Sequence, residues 1–142
     1  MEVGHEIDTW GHLSCVYRKG LREAGGNGVG LSGADVDMKL SILIPSIPGR
    51  LGLLAKQFDF LRGLIGDLPV EVLAFTDNKR RSIGLKRDAL VQVARGEYLA
   101  FVDDDDEVYP EYVSVLLRAI DLAGDADVIS IRQHASIEGG NR

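Results

Sequence analysis

The chain has 142 residues, 45% of them apolar and 27% charged, with a formal net charge of −6. That is room for one domain with a core and too little for two. The acidic balance argues against nucleic-acid binding through the overall field; no apolar run approaches the ~20 residues of a bilayer span; and "MEVGHEIDTWGHL" has neither the basic start nor the apolar core of a secretory leader.

Residues 1–37 differ in texture from the rest. "GLREAGGNGVGLSGAD" carries Gly25, Gly26, Gly28, Gly30 and Gly33. So much glycine raises the entropy cost of ordering, and residues 1–37 read as a flexible Gly-rich tail. Within it, "HLSCVYRKGLREA" is expected to form a short helix. His5, His12 and Cys15 match no zinc spacing, so this segment reads as a polar tail. Cys15 is the single cysteine, which rules out an intrachain disulfide and fits a reducing, cytoplasmic setting.

From Met38 onward, residues 38–142 read as one domain. "KLSILIP" is a short apolar run stopped by Pro45, the pattern of a buried strand. Leu51, Leu54, Phe58, Leu61 and Ile65 then recur at helical steps, and Gly66 is placed to end that helix. "VEVLAFT" is a second strand and "DNKRRSIG" a polar turn. "LKRDALVQVA" is a second helix, with Leu85, Ala89, Leu90 and Val93 expected on its buried side. "EYLAFV" is a third strand. Pro110 suits the first position of a third helix, with Val113, Leu116, Leu117 and Ile120 inward and Gly124 as its stop. "DVISIRQ" is a fourth strand. The alternation predicts an α/β fold, a mostly parallel sheet with helices on both faces. Ligands in such folds bind beyond the carboxyl ends of the strands. Pro45-Ser46, Thr76-Asp77 and Asp103 to Asp106 are therefore expected to converge on one sheet edge.

Four consecutive aspartates at a strand end invite three readings. Capping and the macrodipole explain one or two acids ahead of a helix, and four exceed that need. A calcium loop counted from Asp103 requires glycine and glutamate where Val108 and Ser114 stand, so it is rejected. Capping with excess charge stays open, beside a divalent ion held for a phosphate substrate: hard oxygen ligands suit magnesium or manganese, and the ion offsets carboxylate repulsion. No Gly-x-Gly-x-x-Gly or Walker lysine motif follows "LSILIP", which argues against dinucleotide and P-loop readings.

"ARGEYLAFVDDDDEVYPEYV" resembles the central signature of the family 2 glycosyltransferases of the GT-A fold, a Rossmann-like fold. The matching residues are Ala94, Gly96, Glu97, Tyr98, Asp103, Asp105, Asp106 and Pro110. "LSILIPS", "VEVLAFTD" and the "LKRDALVQVA" helix extend the resemblance over Leu40 to about Ile131. It implies transfer of a sugar from a nucleotide-diphosphate donor, a UDP-sugar as first guess, to an unknown acceptor hydroxyl. It implies Pro45, Ser46 and Asp77 at the base, Asp103 near the ribose, Asp105 on a Mn2+ or Mg2+ ion with Asp106 close by, and Arg87 on the nucleotide or its phosphates. Asp104 fills the variable position and receives no role. The family's acceptor half and its base have no match after Asp127. The chain is therefore expected to supply a donor-binding half, with a possible partner chain supplying the rest. The alternative is a module that binds a nucleotide sugar without turnover, as a degenerate or split relative.

Overall fold

The computed structural model describes residues 14–19 and 37–131. The Gly-rich stretch, His5 and His12 lie outside the described residues. Five strands, β1 (Ser14–Arg18), β2 (Leu40–Ser46), β3 (Val70–Thr76), β4 (Tyr98–Phe101) and β5 (Val128–Ile131), form one sheet in the order β3-β2-β4-β1-β5. β2 runs parallel to β3 and to β4. β1 runs antiparallel to both β4 and β5, which leaves the other four strands in one direction. The expected mostly parallel sheet is present, with one reversed strand inserted.

That strand is a correction. The stretch around Ser14–Arg18, expected to be a short helix within the tail, is extended and pairs inside the domain's sheet. Val16 opposes Ala100 on one side and Ile129 on the other, and it is fully buried. A partner more than 80 residues away decides its conformation, and tertiary pairing overrides a weak local preference.

Helices α1 (Leu51–Ile65), α2 (Ile83–Val93) and α3 (Tyr112–Ala123) cover both faces. Leu54, Leu61 and Ile65 of α1 and Val113, Leu116 and Ile120 of α3 pack with Leu40, Ile42 and Ile44 in the larger core. Leu90 and Ala94 pack with Leu43 and Leu99 on the opposite face. The two-residue alternation of β2 thus feeds two cores, and all seven of its residues are buried. Gly66 and Gly124 end α1 and α3 with φ of 50° and 64°, a region open to glycine at little cost.

Two helical details differ from expectation. Pro110 does not begin α3; it lies in the turn before it, and the helix starts at Tyr112. In α2 the buried stripe is Lys86, Leu90 and the adjoining Ala94, whereas Leu85 and Val93 are exposed. A lysine occupies the inward place because two acceptors wait for it in the site described next.

Candidate functional site

The carboxyl ends of β2, β3 and β4 deliver three loops to one edge of the sheet, as the alternation requires. Between them is a cleft of ≈ 390 Å³ lined by Pro45, Ser46, Ile47 and Arg50 after β2, Lys79, Arg81, Ile83 and Lys86 around the start of α2, and Asp103, Asp104 and Asp105 after β4. Its size falls in the range of roughly 300 to 1,000 Å³ usual for ligand pockets.

The four aspartates have four different settings. Asp106 N donates to Asp103 O at 3.1 Å, and Asp103 N donates to Asp106 Oδ2 at 3.3 Å, so the run closes on itself as a turn. Gln57 on α1 is buried, and its Nε2 donates to the Asp103 and Asp106 carbonyls, both at 3.1 Å. The turn is thereby pinned to the helix beneath it. Asp103 and Asp105 keep about half of their side-chain surface, at 49% and 54%. Asp104 is buried: its Oδ2 accepts from Ser46 Oγ at 2.7 Å and its Oδ1 from Arg50 Nη1 at 2.9 Å. Arg50 Nη1 also lies 3.4 Å from Asp105 Oδ2. The hydrogen bond to Asp104, with the charges of Asp104 and Asp105, raises the Arg50 pKa above its ordinary value.

A second buried charge lies on the other lip. Lys86 Nζ donates to Ser46 O at 2.9 Å and pairs with Asp77 Oδ1 at 2.8 Å. Asp77 also accepts from Lys79 N and Arg81 N, each at 3.1 Å, which ties the loop after β3 into a fixed turn with Lys79 at φ 62°. The Lys86 hydrogen bond is the main cause of an Asp77 pKa below the usual carboxylate range. Arg81 stacks over Phe75 with 5.3 Å to the ring centroid. Arg87 stacks over Phe101 at 5.3 Å and reaches Asp103 Oδ1 at 3.5 Å.

The structure therefore brings Pro45, Ser46, Asp103 and Asp105 to the cleft wall. Asp77 joins it through Lys86, and Arg87 through Asp103. Asp106 serves the turn. Sequence reasoning passed over Asp104, Lys86, Arg50 and Gln57. For two of these a signal was present: Lys86 precedes Leu90 and Ala94 by four and eight residues, and Gln57 falls three after Leu54 and four before Leu61. A polar residue on an apolar stripe marks a buried polar contact.

A strand-end cleft with this acidic turn agrees with comparison to known sequences. The family described as Glycosyl transferase family 2 matches residues 55–142. The chain belongs to this family. Over 58 residues this glycosyl transferase family 2 chain is 34% identical to a Bacillus subtilis (strain 168) protein named "Putative glycosyltransferase EpsH", covering 41% of the chain and 16% of that protein. It is 33% identical over 55 residues to "Uncharacterized protein y4gI" of Sinorhizobium fredii (strain NBRC 101917 / NGR234), covering 39% of the chain and 6% of that protein. The chain thus spans a small part of the length of these curated relatives. No solved structure matches it. The family match begins after Pro45, Ser46 and Arg50, all three of which line the cleft.

Among the described residues no helix is long and apolar enough to cross a membrane. No group of three or more His, Cys, Asp or Glu side chains is gathered among them as a metal cage. Magnesium commonly uses only one or two carboxylates together with substrate phosphates, and the half-exposed Asp105 at the cleft fits that smaller donor set.

Proposed function

We propose that the cleft binds a nucleotide-diphosphate sugar and that the chain contributes the donor-binding part of a sugar transfer to an acceptor hydroxyl. The observation that carries this reading is the convergence of three strand-end loops on a cleft holding both an acidic turn and four cationic side chains, Arg50, Lys79, Arg81 and Lys86. Carboxylates supply metal-binding oxygens, and cations suit a diphosphate.

In this reading Pro45 and Ser46 border the base, Asp103 faces the ribose, and Arg87 steadies Asp103 or the phosphates. Asp77 acts mainly through the loop that it organises. Asp105, with Asp106 nearby, would hold Mn2+ or Mg2+ alongside phosphate oxygens, and the ion would offset charge on the departing diphosphate. The donor in this reading is a UDP-sugar.

One observation favours the alternative of a binding module without turnover. Each carboxylate of the cleft wall is paired: Asp104 and Asp105 with Arg50, and Asp103 with Arg87. None of them is left to deprotonate an acceptor, so the described cleft residues account for donor binding and a base would have to come from elsewhere.

Calorimetric titration with UDP and GDP, with and without Mn2+, tests the reading. Binding of one nucleotide that strengthens at least tenfold with Mn2+, and loses that gain in Asp105→Asn, is expected. Normal metal-dependent binding in Asp105→Asn would reject the assignment of Asp105, and no binding of either nucleotide by folded protein would reject the UDP or GDP site.

A further inference from the structure

Arg50 emerges from a three-residue 3-10 turn, Pro48–Arg50, between β2 and α1. Its Nη1 spans two carboxylates, Asp104 Oδ1 at 2.9 Å and Asp105 Oδ2 at 3.4 Å. A buried carboxylate is costly unless it is fully paired. Asp104 is fully paired, because its other oxygen takes the Ser46 hydroxyl. Asp104 therefore fixes the direction of Arg50 instead of facing a ligand. A guanidinium presents five N–H donors in a planar fork matched to phosphate oxygens. Among the described residues only Nη1 of Arg50 has a protein acceptor. The side chain lines the cleft and keeps 45% of its surface. On the other lip, Lys79 and Arg81 have no ion-pair partner among the described residues and add positive charge.

We propose that Arg50, aimed by the buried Asp104, is a diphosphate-binding residue of the cleft, so that part of the diphosphate affinity requires no metal ion. This rests on the reading of the cleft as a donor site. The Nε and Nη2 donors form hydrogen bonds to diphosphate oxygens while Nη1 stays on Asp104. Asp104 is a positioning residue: it converts a flexible arginine into a preset fork and lowers the ordering cost of binding.

The test is calorimetric titration of the full chain with inorganic pyrophosphate in EDTA. The wild-type chain is expected to bind, and Arg50→Gln to weaken binding at least tenfold. Arg50→Lys keeps the charge beside Asp104 but loses the fork, and is expected to weaken binding several-fold. It also serves if Arg50→Gln does not fold. A purely structural arginine would leave pyrophosphate affinity unchanged in any folded variant, and that result overturns the proposal. Wild-type binding only when Mn2+ is added overturns it as well. UDP and GDP titrations in the same series separate the two readings. Pyrophosphate binding that depends on Arg50, without nucleotide binding, supports the role of Arg50 and rejects the nucleotide site. Nucleotide binding that is indifferent to Arg50→Gln does the reverse.

Discussion

Lys86 shows how a single buried charge can organise a site. Its ammonium links the end of β2, through the Ser46 carbonyl, to the loop after β3, through Asp77. Removing one partner of a buried pair leaves the other without compensation, whereas removing both is milder. Lys86→Met is therefore expected to lower the thermal midpoint by about 5 °C or more. The Lys86→Met, Asp77→Asn double variant should lose less than the sum of the single variants, as read from thermal unfolding of all four proteins. The helical step from Lys86 to Leu90 and Ala94 was the one sequence sign of its burial, and its charge argued for solvent until the distant acceptors were known. Asp104 was hidden for a related reason. Four identical side chains in a row carry no pattern, and only the Ser46 hydroxyl and Arg50 single out the one that turns inward.

At the scale of elements, β2 and β4 approach each other so closely that side-chain volume decides the sequence between α2 and β4. A Cβ on Gly96 would lie 2.4 Å from Ser41 N and 2.7 Å from Leu40 C, both backbone atoms that cannot swing aside. Gly96→Ala is expected to cost about 2–3 kcal/mol by overpacking, measured by urea unfolding. Gly63, inside α1 with open space around it, gives the opposite sign: Gly63→Ala should stabilise by roughly 0.5–1 kcal/mol. The same end of the sheet holds Glu71, which accepts from Ser41 Oγ at 2.7 Å, Arg95 N at 2.6 Å and Arg95 Nε at 2.9 Å. Burial pushes its pKa up, but these hydrogen bonds and the Arg95 charge outweigh burial and hold it below the ordinary glutamate value. The folded state then binds fewer protons than the unfolded chain. The associated stability is fully present above the unfolded value of ~4.3 and is lost as pH falls through the lower folded value. Glu71→Gln should be less stable than wild type at pH 7 and should lose less on acidification from about pH 5 to pH 3, as followed by denaturant unfolding at each pH. The elements themselves were largely legible. Leu54, Leu61 and Ile65, or Val113, Leu116 and Ile120, repeat at helical spacing, and the apolar runs of β2, β3 and β4 are bounded by turn residues.

Across the whole molecule, the parallel α/β frame and its loop-bearing edge followed from alternation alone, while β1 did not. Ser14–Arg18 is short, flanked by polar and glycine-rich sequence, and gains its order from strands that come much later in the chain. Its register pairs Ser14 with Ile131 and Val16 with Ala100. This insertion has a consequence for synthesis. A ribosome releases β1 well before β4 and β5, yet these are the strands that β1 joins. Loop-closure entropy opposes such long-range pairing until both sides are present. The sheet can grow early as β2, β3 and β4 emerge with α1 and α2 beside them, since their contacts are closer in sequence. β1 must wait for strands made after it, and its docking between β4 and β5 is the step that joins β5 to the rest of the sheet.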